Sequence, residues 1–136
     1  MKRDTTIDQT ATNIENDFVV IDANKQASIE PADAELYQRL DSHYQQFAGC
    51  ELVSCYESRE DWSSWEMHPA GDELVMLLAG SATMVWQTAS GPQSAMLAKQ
   101  GDFIVIPKGT WHTANIAEYA KLLFVTPGQD TQHKAR

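Results

Sequence analysis

From residue 50 onward the chain alternates short apolar runs with turn-forming residues. The runs are Leu52 to Tyr56, Trp62 to Met67, Glu73 to Leu78, Ala82 to Gln87, Ala95 to Ala98, Phe103 to Ile106 and Leu122 to Thr126. Between them stand Pro69-Ala70-Gly71-Asp72, Ala79-Gly80-Ser81, Ser90-Gly91-Pro92, Gly101-Asp102 and Pro107-Lys108-Gly109. β-Branched and aromatic side chains suit a pleated, half-buried surface, whereas Gly, Pro, Ser and Asp supply the dihedrals that reverse a chain. Many short strands at such spacing predict an antiparallel barrel or sandwich.

The first third of the chain reads differently. Phe18-Val19-Val20-Ile21 predicts a short edge strand. Pro31 stands where a first helical turn tolerates proline, and Asp33 and Glu35 stand where the helix dipole favours acids. Leu36, Leu40, Tyr44 and Phe47 then recur at helical spacing and Gly49 follows as a stop, which predicts one amphipathic helix over about 31–47. The expected organisation is a flexible tail over 1–16, a strand and helix over 17–49, the barrel over 50–127 and a C-terminal tail over 128–136.

Composition narrows the function classes. A length of 136 residues with 43% hydrophobic and 21% charged residues fits one globular domain. Ten basic against nineteen acidic residues give a net charge of −9, which opposes nucleic acid and anionic membranes as partners. No apolar leader follows Met1-Lys2-Arg3, and the longest apolar stretch, Leu74 to Trp86, is broken by Gly80, Ser81 and Thr83. Cys50 and Cys55 fall on opposite faces of a strand-like segment, so they are expected to be unbridged core thiols in a reducing, cytoplasmic compartment.

Of four histidines, His43 in the helix and His133 in the tail are expected to be solvated. His68 and His112 lie in patterned strand-and-turn segments. In Trp65-Glu66-Met67-His68 alternation puts Glu66 and His68 on one face and Trp65 and Met67 on the other. The turn at 69–72 would then return Glu73 beside His68 across a hairpin, and His112 would complete the cluster if the sheet closes. No Lys or Arg occurs from Glu60 through Ala98, so carboxylates buried there need another cation. Imidazole and carboxylate together suit Fe, Mn, Ni or Zn. Asp72 reads as a turn residue. Trp62, Trp65, Trp86 and Trp111 read as core or interface aromatics, and Val75, Leu77, Met84 and Trp86 as candidate cavity walls.

These segments resemble the two motifs of the cupin superfamily. Glu66 to Gly80 is similar to the first, His-x-His followed by Glu and then Gly, with His68, Glu73 and Gly80 matching. Gly101 to His112 resembles the second, with Gly101, Pro107, Gly109 and His112 matching. Three positions depart from the pattern. Glu66 replaces the usual first His, Glu60 replaces a Gly, and Asn115 lies one place early.

The resemblance, over about 60–127, implies a mainly β fold: an antiparallel double-stranded β-helix, the cupin jelly-roll barrel, with one N-terminal helix. It implies His68, Glu73 and His112 as ligands of one divalent metal ion. Strand parity adds Glu66 as a fourth ligand, a partner orienting a histidine, or a catalytic base. The expected function is a metal-dependent dioxygenase-type enzyme acting on a small organic molecule. The alternatives are a metal-dependent isomerase or lyase and a non-catalytic binding or sensing module. A homodimer is expected, covering an edge strand and outer positions such as Trp65.

Overall fold

The computed structural model describes residues 10–136. In chain order the described strands begin with β1 (Asp17–Ile21), β2 (Ala27–Pro31), β3 (Glu51–Ser58), β4 (Ser64–Met67) and β5 (Glu73–Gly80). They continue with β6 (Ala82–Thr88), β7 (Gly91–Leu97), β8 (Phe103–Ile106), β9 (His112–Asn115), β10 (Ala120–Thr126) and β11 (Gln132–Ala135). One helix, α1 (Leu36–His43), interrupts them. A six-stranded sheet runs β2-β1-β3-β10-β5-β8 and a five-stranded sheet runs β11-β4-β9-β6-β7, with every pairing antiparallel. The two sheets form the jelly-roll barrel expected from the sequence. No described helix is long and apolar enough to cross a membrane.

Period-2 alternation builds the core. Val75 and Leu77 of β5, Ala82 and Met84 of β6, and Leu122 and Phe124 of β10 turn inward with Leu97, Ile106 and Ala114 into one cluster. Val75, Leu77 and Met84 are fully buried there, and Trp86 packs against them. These four therefore fill the core, and the expectation that they line a cavity is corrected.

Gly80 shows why its motif position requires glycine. Its φ is +77°, and an added Cβ would meet the Tyr119 carbonyl oxygen at 2.1 Å.

A second cluster, Phe18, Val20, Leu36, Leu40, Phe47, Cys50, Leu52 and Cys55, seats the N-terminal segment on the six-stranded sheet. Both cysteines are free and buried. Two elements differ from expectation. β1 is not an edge strand, because Ala27–Pro31 pairs with it through a turn in which Asp22 Oδ1 accepts from the backbone of Asn24 and Gln26. Pro31 thus closes a strand, and the helix is confined to Leu36–His43. The chain leaves it through Gln45, Gln46 and Phe47 at φ 54°, 56° and 62°, a left-handed turn that delivers Phe47 to the core.

The C-terminal residues are not a tail. β11 pairs with β4 in the register Gln132↔Met67, His133↔Glu66, Lys134↔Trp65 and Ala135↔Ser64. Arg136 fixes the end by donating to the Trp62 carbonyl at 2.9 Å and to Asn115 Oδ1 at 2.7 Å. The free backbone edge of β4 supplies this pairing, so an all-exposed polar strand forms without apolar alternation.

Candidate metal centre

Glu66, His68 and His112 come from the five-stranded sheet, and Glu73 comes from the other. β4 lies beside β9 with Glu66 opposite His112, which brings His112 to the same inner face. The expected hairpin between Glu66 and Glu73 does not form. β4 and β5 belong to different sheets, and residues 69–72 carry the chain across the gap between them. Glu73, the first residue of β5, therefore faces the histidines from across the barrel. Two bonds join this crossing to the second motif: Asp72 Oδ1 accepts from Lys108 N at 2.7 Å, and the His68 carbonyl accepts from Gly109 N at 3.0 Å. Gly109, at φ +76°, gives that loop the dihedral it needs. Asp72 acts as the expected turn residue.

The carboxylate of Glu73 spans both imidazoles. Oε1 lies 2.9 Å from His112 Nε2, and Oε2 lies 3.2 Å from His68 Nε2. Glu66 Oε2 is 3.9 Å from His68 Nε2, and one donor atom each from Glu66, His68 and His112 lie within 4.8 Å of one another. His112, Glu73 and His68 are 0%, 2% and 5% exposed, whereas the Glu66 side chain is 30% exposed.

The outer nitrogens define the tautomers. His112 Nδ1 lies 3.1 Å from the Thr110 carbonyl, which can only accept, so Nδ1 carries a proton. His68 Nδ1 lies 2.8 Å from Thr131 Oγ1, whose own proton goes to the Gly128 carbonyl at 3.2 Å. With Nδ1 occupied as a donor, each ring in its neutral form would aim an Nε2 lone pair at a carboxylate. Although the separations fall in hydrogen-bonding range, the geometry does not: His68 Nε2, His112 Nε2 and Glu73 Oε1 are buried without a satisfactory hydrogen bond. Three acceptors converging in a dry interior repel one another unless a cation or proton lies between them. Imidazole nitrogen with carboxylate oxygen is a donor set that borderline divalent metals accept, so the residues fit such an ion.

Proton affinities follow the same geometry. Burial pushes the Glu73 carboxyl up, but contact with His112 and His68 outweighs it and holds the pKa at about 2. Burial pushes His112 down, yet Glu73 and the Thr110 carbonyl prevail and its pKa is raised above 6.5. Thr126 donates to Glu73 Oε2 at 2.6 Å and fixes the carboxylate plane.

Above the cluster opens a cleft of about 1010 Å³, with His68 and Glu73 at its floor and Trp62, Phe124, Tyr37 and Tyr56 among its walls. Trp62 packs edge-on to His112 at 6.4 Å and against Phe124 at 5.9 Å, so it serves both core and cleft. Trp65 lies opposite Lys134 in the β4–β11 pair, so this chain's own terminus covers that outer strand.

Three residues near the centre were not legible. His133, expected to be solvated, approaches Glu66 Oε1 at 3.2 Å, and Thr131 and Thr126 hold His68 and Glu73. Only the pairing of β11 with β4 puts the first two there, and a four-residue polar strand leaves no periodic signal. His43 is exposed, as expected.

No family model and no curated protein matches the chain. Similar solved structures include the hydroxypropylphosphonic acid epoxidase from S. wedmorenis in complex with fosfomycin, at 22% identity over 56% of this chain and a TM-score of 0.49. The chain covers 43% of that epoxidase, less than half its length. A cupin-2 domain containing protein from Shewanella frigidimarina is 22% identical over 57% of this chain and 70% of its own, at a TM-score of 0.48. Peruvianin-I, a cysteine peptidase from Thevetia peruviana latex, is 18% identical over 62% of this chain and 56% of its own, at 0.51. The chain has the fold of an antiparallel two-sheet β-barrel. Within that barrel the two sequence motifs occupy the β4–β5 crossing and the β8–β9 segment that meet at the cluster.

Proposed function

We propose that Glu66, His68, Glu73 and His112 hold one divalent metal ion and that the chain is a metal-dependent enzyme of dioxygenase type acting on a small organic molecule. The observation carrying this reading is the convergence of three buried, unpaired heteroatoms of His68, Glu73 and His112, the first two of which line the floor of an open cleft. Fe, Mn, Ni and Zn all accept this donor set, and the bound ion would supply Lewis acidity and, where redox-active, electrons.

The remaining chemistry belongs to the chain. Thr131 and the Thr110 carbonyl fix the ring tautomers, and Thr126 fixes Glu73, so the donors are oriented before an ion arrives. Trp62 and Phe124 present flat apolar walls for an organic substrate. Glu66, 30% exposed and bonded to His133, is either the fourth ligand or, standing off the ion, the base that accepts a substrate proton. That last contact also favours a second reading, an isomerase or lyase in which Glu66 moves the proton. An oxygen-electrode screen on iron-loaded protein separates the two. Substrate-dependent oxygen uptake supports the oxygenase, and anaerobic turnover supports the isomerase or lyase. We further propose a homodimer formed through β8, one of the two edges of the six-stranded sheet, where Phe103 and Val105 are 58% and 49% exposed.

A further inference from the structure

Across the described residues, the cleft above the metal centre is lined by five carboxylates and by no lysine or arginine. Glu66 and Glu73 lie at its floor, and Asp41, Glu57 and Asp130 stand along its walls and rim. Arg39, Lys121 and Arg136 all have partners outside the cleft. Arg39 is held by Glu30 at 2.9 Å and Asp33 at 2.7 Å. Lys121 pairs with Glu15 and more loosely with Glu57 at 3.9 Å, so it offsets part of one cleft charge without itself lining the cleft. Arg136 is spent on the Trp62 and Ala114 carbonyls and on Asn115. One divalent ion would offset two of the five negative charges, so the space stays electronegative with the centre loaded.

The rest of the lining is aromatic and hydroxylic. Trp62, Phe124 and the Tyr37–Tyr56 pair, whose hydroxyls lie 2.5 Å apart, stand beside Ser54 and Ser64. Flat walls with scattered hydroxyls suit an aromatic body carrying a neutral or protonated polar group. The buried, unpaired atoms of His68 and Glu73 aim at the same space, so the acids belong to a site and not to a solvated surface.

We infer that the ligand of this cleft is a small aromatic alcohol or amine and that carboxylates, phosphates and phosphonates are rejected. This rests on the proposed metal-dependent function and adds the charge class of its substrate. A carboxylate or phosphate ligand demands a cationic partner; no described lysine or arginine lines the cleft, His133 is held by Glu66 at 3.2 Å, and the charge of a bound divalent ion would be matched by Glu66 and Glu73.

The test is an NMR titration of zinc-loaded and EDTA-treated protein, with the Trp62 indole N–H as reporter. The probes are 2-phenylethanol, 2-phenylethylamine, phenylacetate and phenylphosphonate. The alcohol and amine are expected to bind at least tenfold more tightly than either anion in both preparations. An anion that binds as well as the alcohol, or no indole shift with any probe, overturns the inference. Asp41→Lys, at an exposed helical position, is expected to narrow the gap at least threefold; an unchanged gap also overturns it. Zinc uptake is measured first by elemental analysis. A protein that takes no zinc refutes the metal reading, while the probe order on EDTA-treated protein still decides the charge class.

Discussion

Replacing Glu73 with Gln keeps the shape of the side chain and removes the charge facing two imidazoles. Its cost to the EDTA-treated protein follows from the depressed pKa. A drop from 4.5 to about 2 at a group this buried corresponds to about 3 kcal/mol of preferential stabilisation of the ionised form, at 1.36 kcal/mol per unit. Gln can donate one hydrogen bond to a neutral Nε2, which returns about 1 kcal/mol. The net loss expected is therefore about 2 kcal/mol, and it depends on pH. Glu73, with a depressed folded pKa, contributes stability that is present above 4.5 and lost as pH falls toward about 2. His112, with a raised folded pKa, contributes stability that is present below 6.5 and lost as pH rises through its folded value. The two contributions overlap between about 4.5 and 6.5. Urea unfolding of wild type and Glu73→Gln at pH 3, 5.5 and 8.5 should give the largest difference at 5.5 and a smaller one at both extremes. A difference constant across the three would refute the shared charge as its origin. Metal affinity should follow the opposite course and rise from pH 5.5 to 8.5, because the ion competes with the His112 proton.

Thr131→Val removes the acceptor that fixes the His68 tautomer, and metal affinity should fall about tenfold with little change in unfolding midpoint, read by competition with a fluorescent chelator. His133→Ala frees the Glu66 carboxylate at the cleft, so kcat of the substrate found by the oxygen or anaerobic screen should fall more than tenfold while bound metal per chain holds. Gly80→Ala forces a Cβ against the Tyr119 carbonyl at 2.1 Å in a left-handed residue and should cost more than about 2 kcal/mol, measured by thermal or urea unfolding.

The barrel was legible because its signals are local. Alternation in β5 and β6, and the turn formers between strands, gave the strands and most of the inward faces. The two motifs that resemble those of cupins brought His68, Glu73 and His112 together on residue type and spacing, and strand parity added Glu66. What stayed hidden was set by long-range pairing. Nothing in Pro69-Ala70-Gly71-Asp72 distinguishes a hairpin turn from a crossing between sheets, since both reverse the chain in four residues. Ala27–Pro31 is too short and polar to outweigh a proline that also suits a helix start. The β11 segment has no apolar face at all, so the residues that hold His68 and Glu66 from behind are visible only once β4 offers its edge.

The central question is whether the four residues hold a metal, and elemental analysis of purified chain beside a His112→Ala variant answers it most directly. Close to one Fe, Mn, Ni or Zn per wild-type chain, and less than about a tenth of that in His112→Ala, is the expected result. Wild-type protein that neither carries nor takes up any of the four ions, or a His112→Ala variant that keeps its full complement, would contradict the assignment of this cluster as a metal centre.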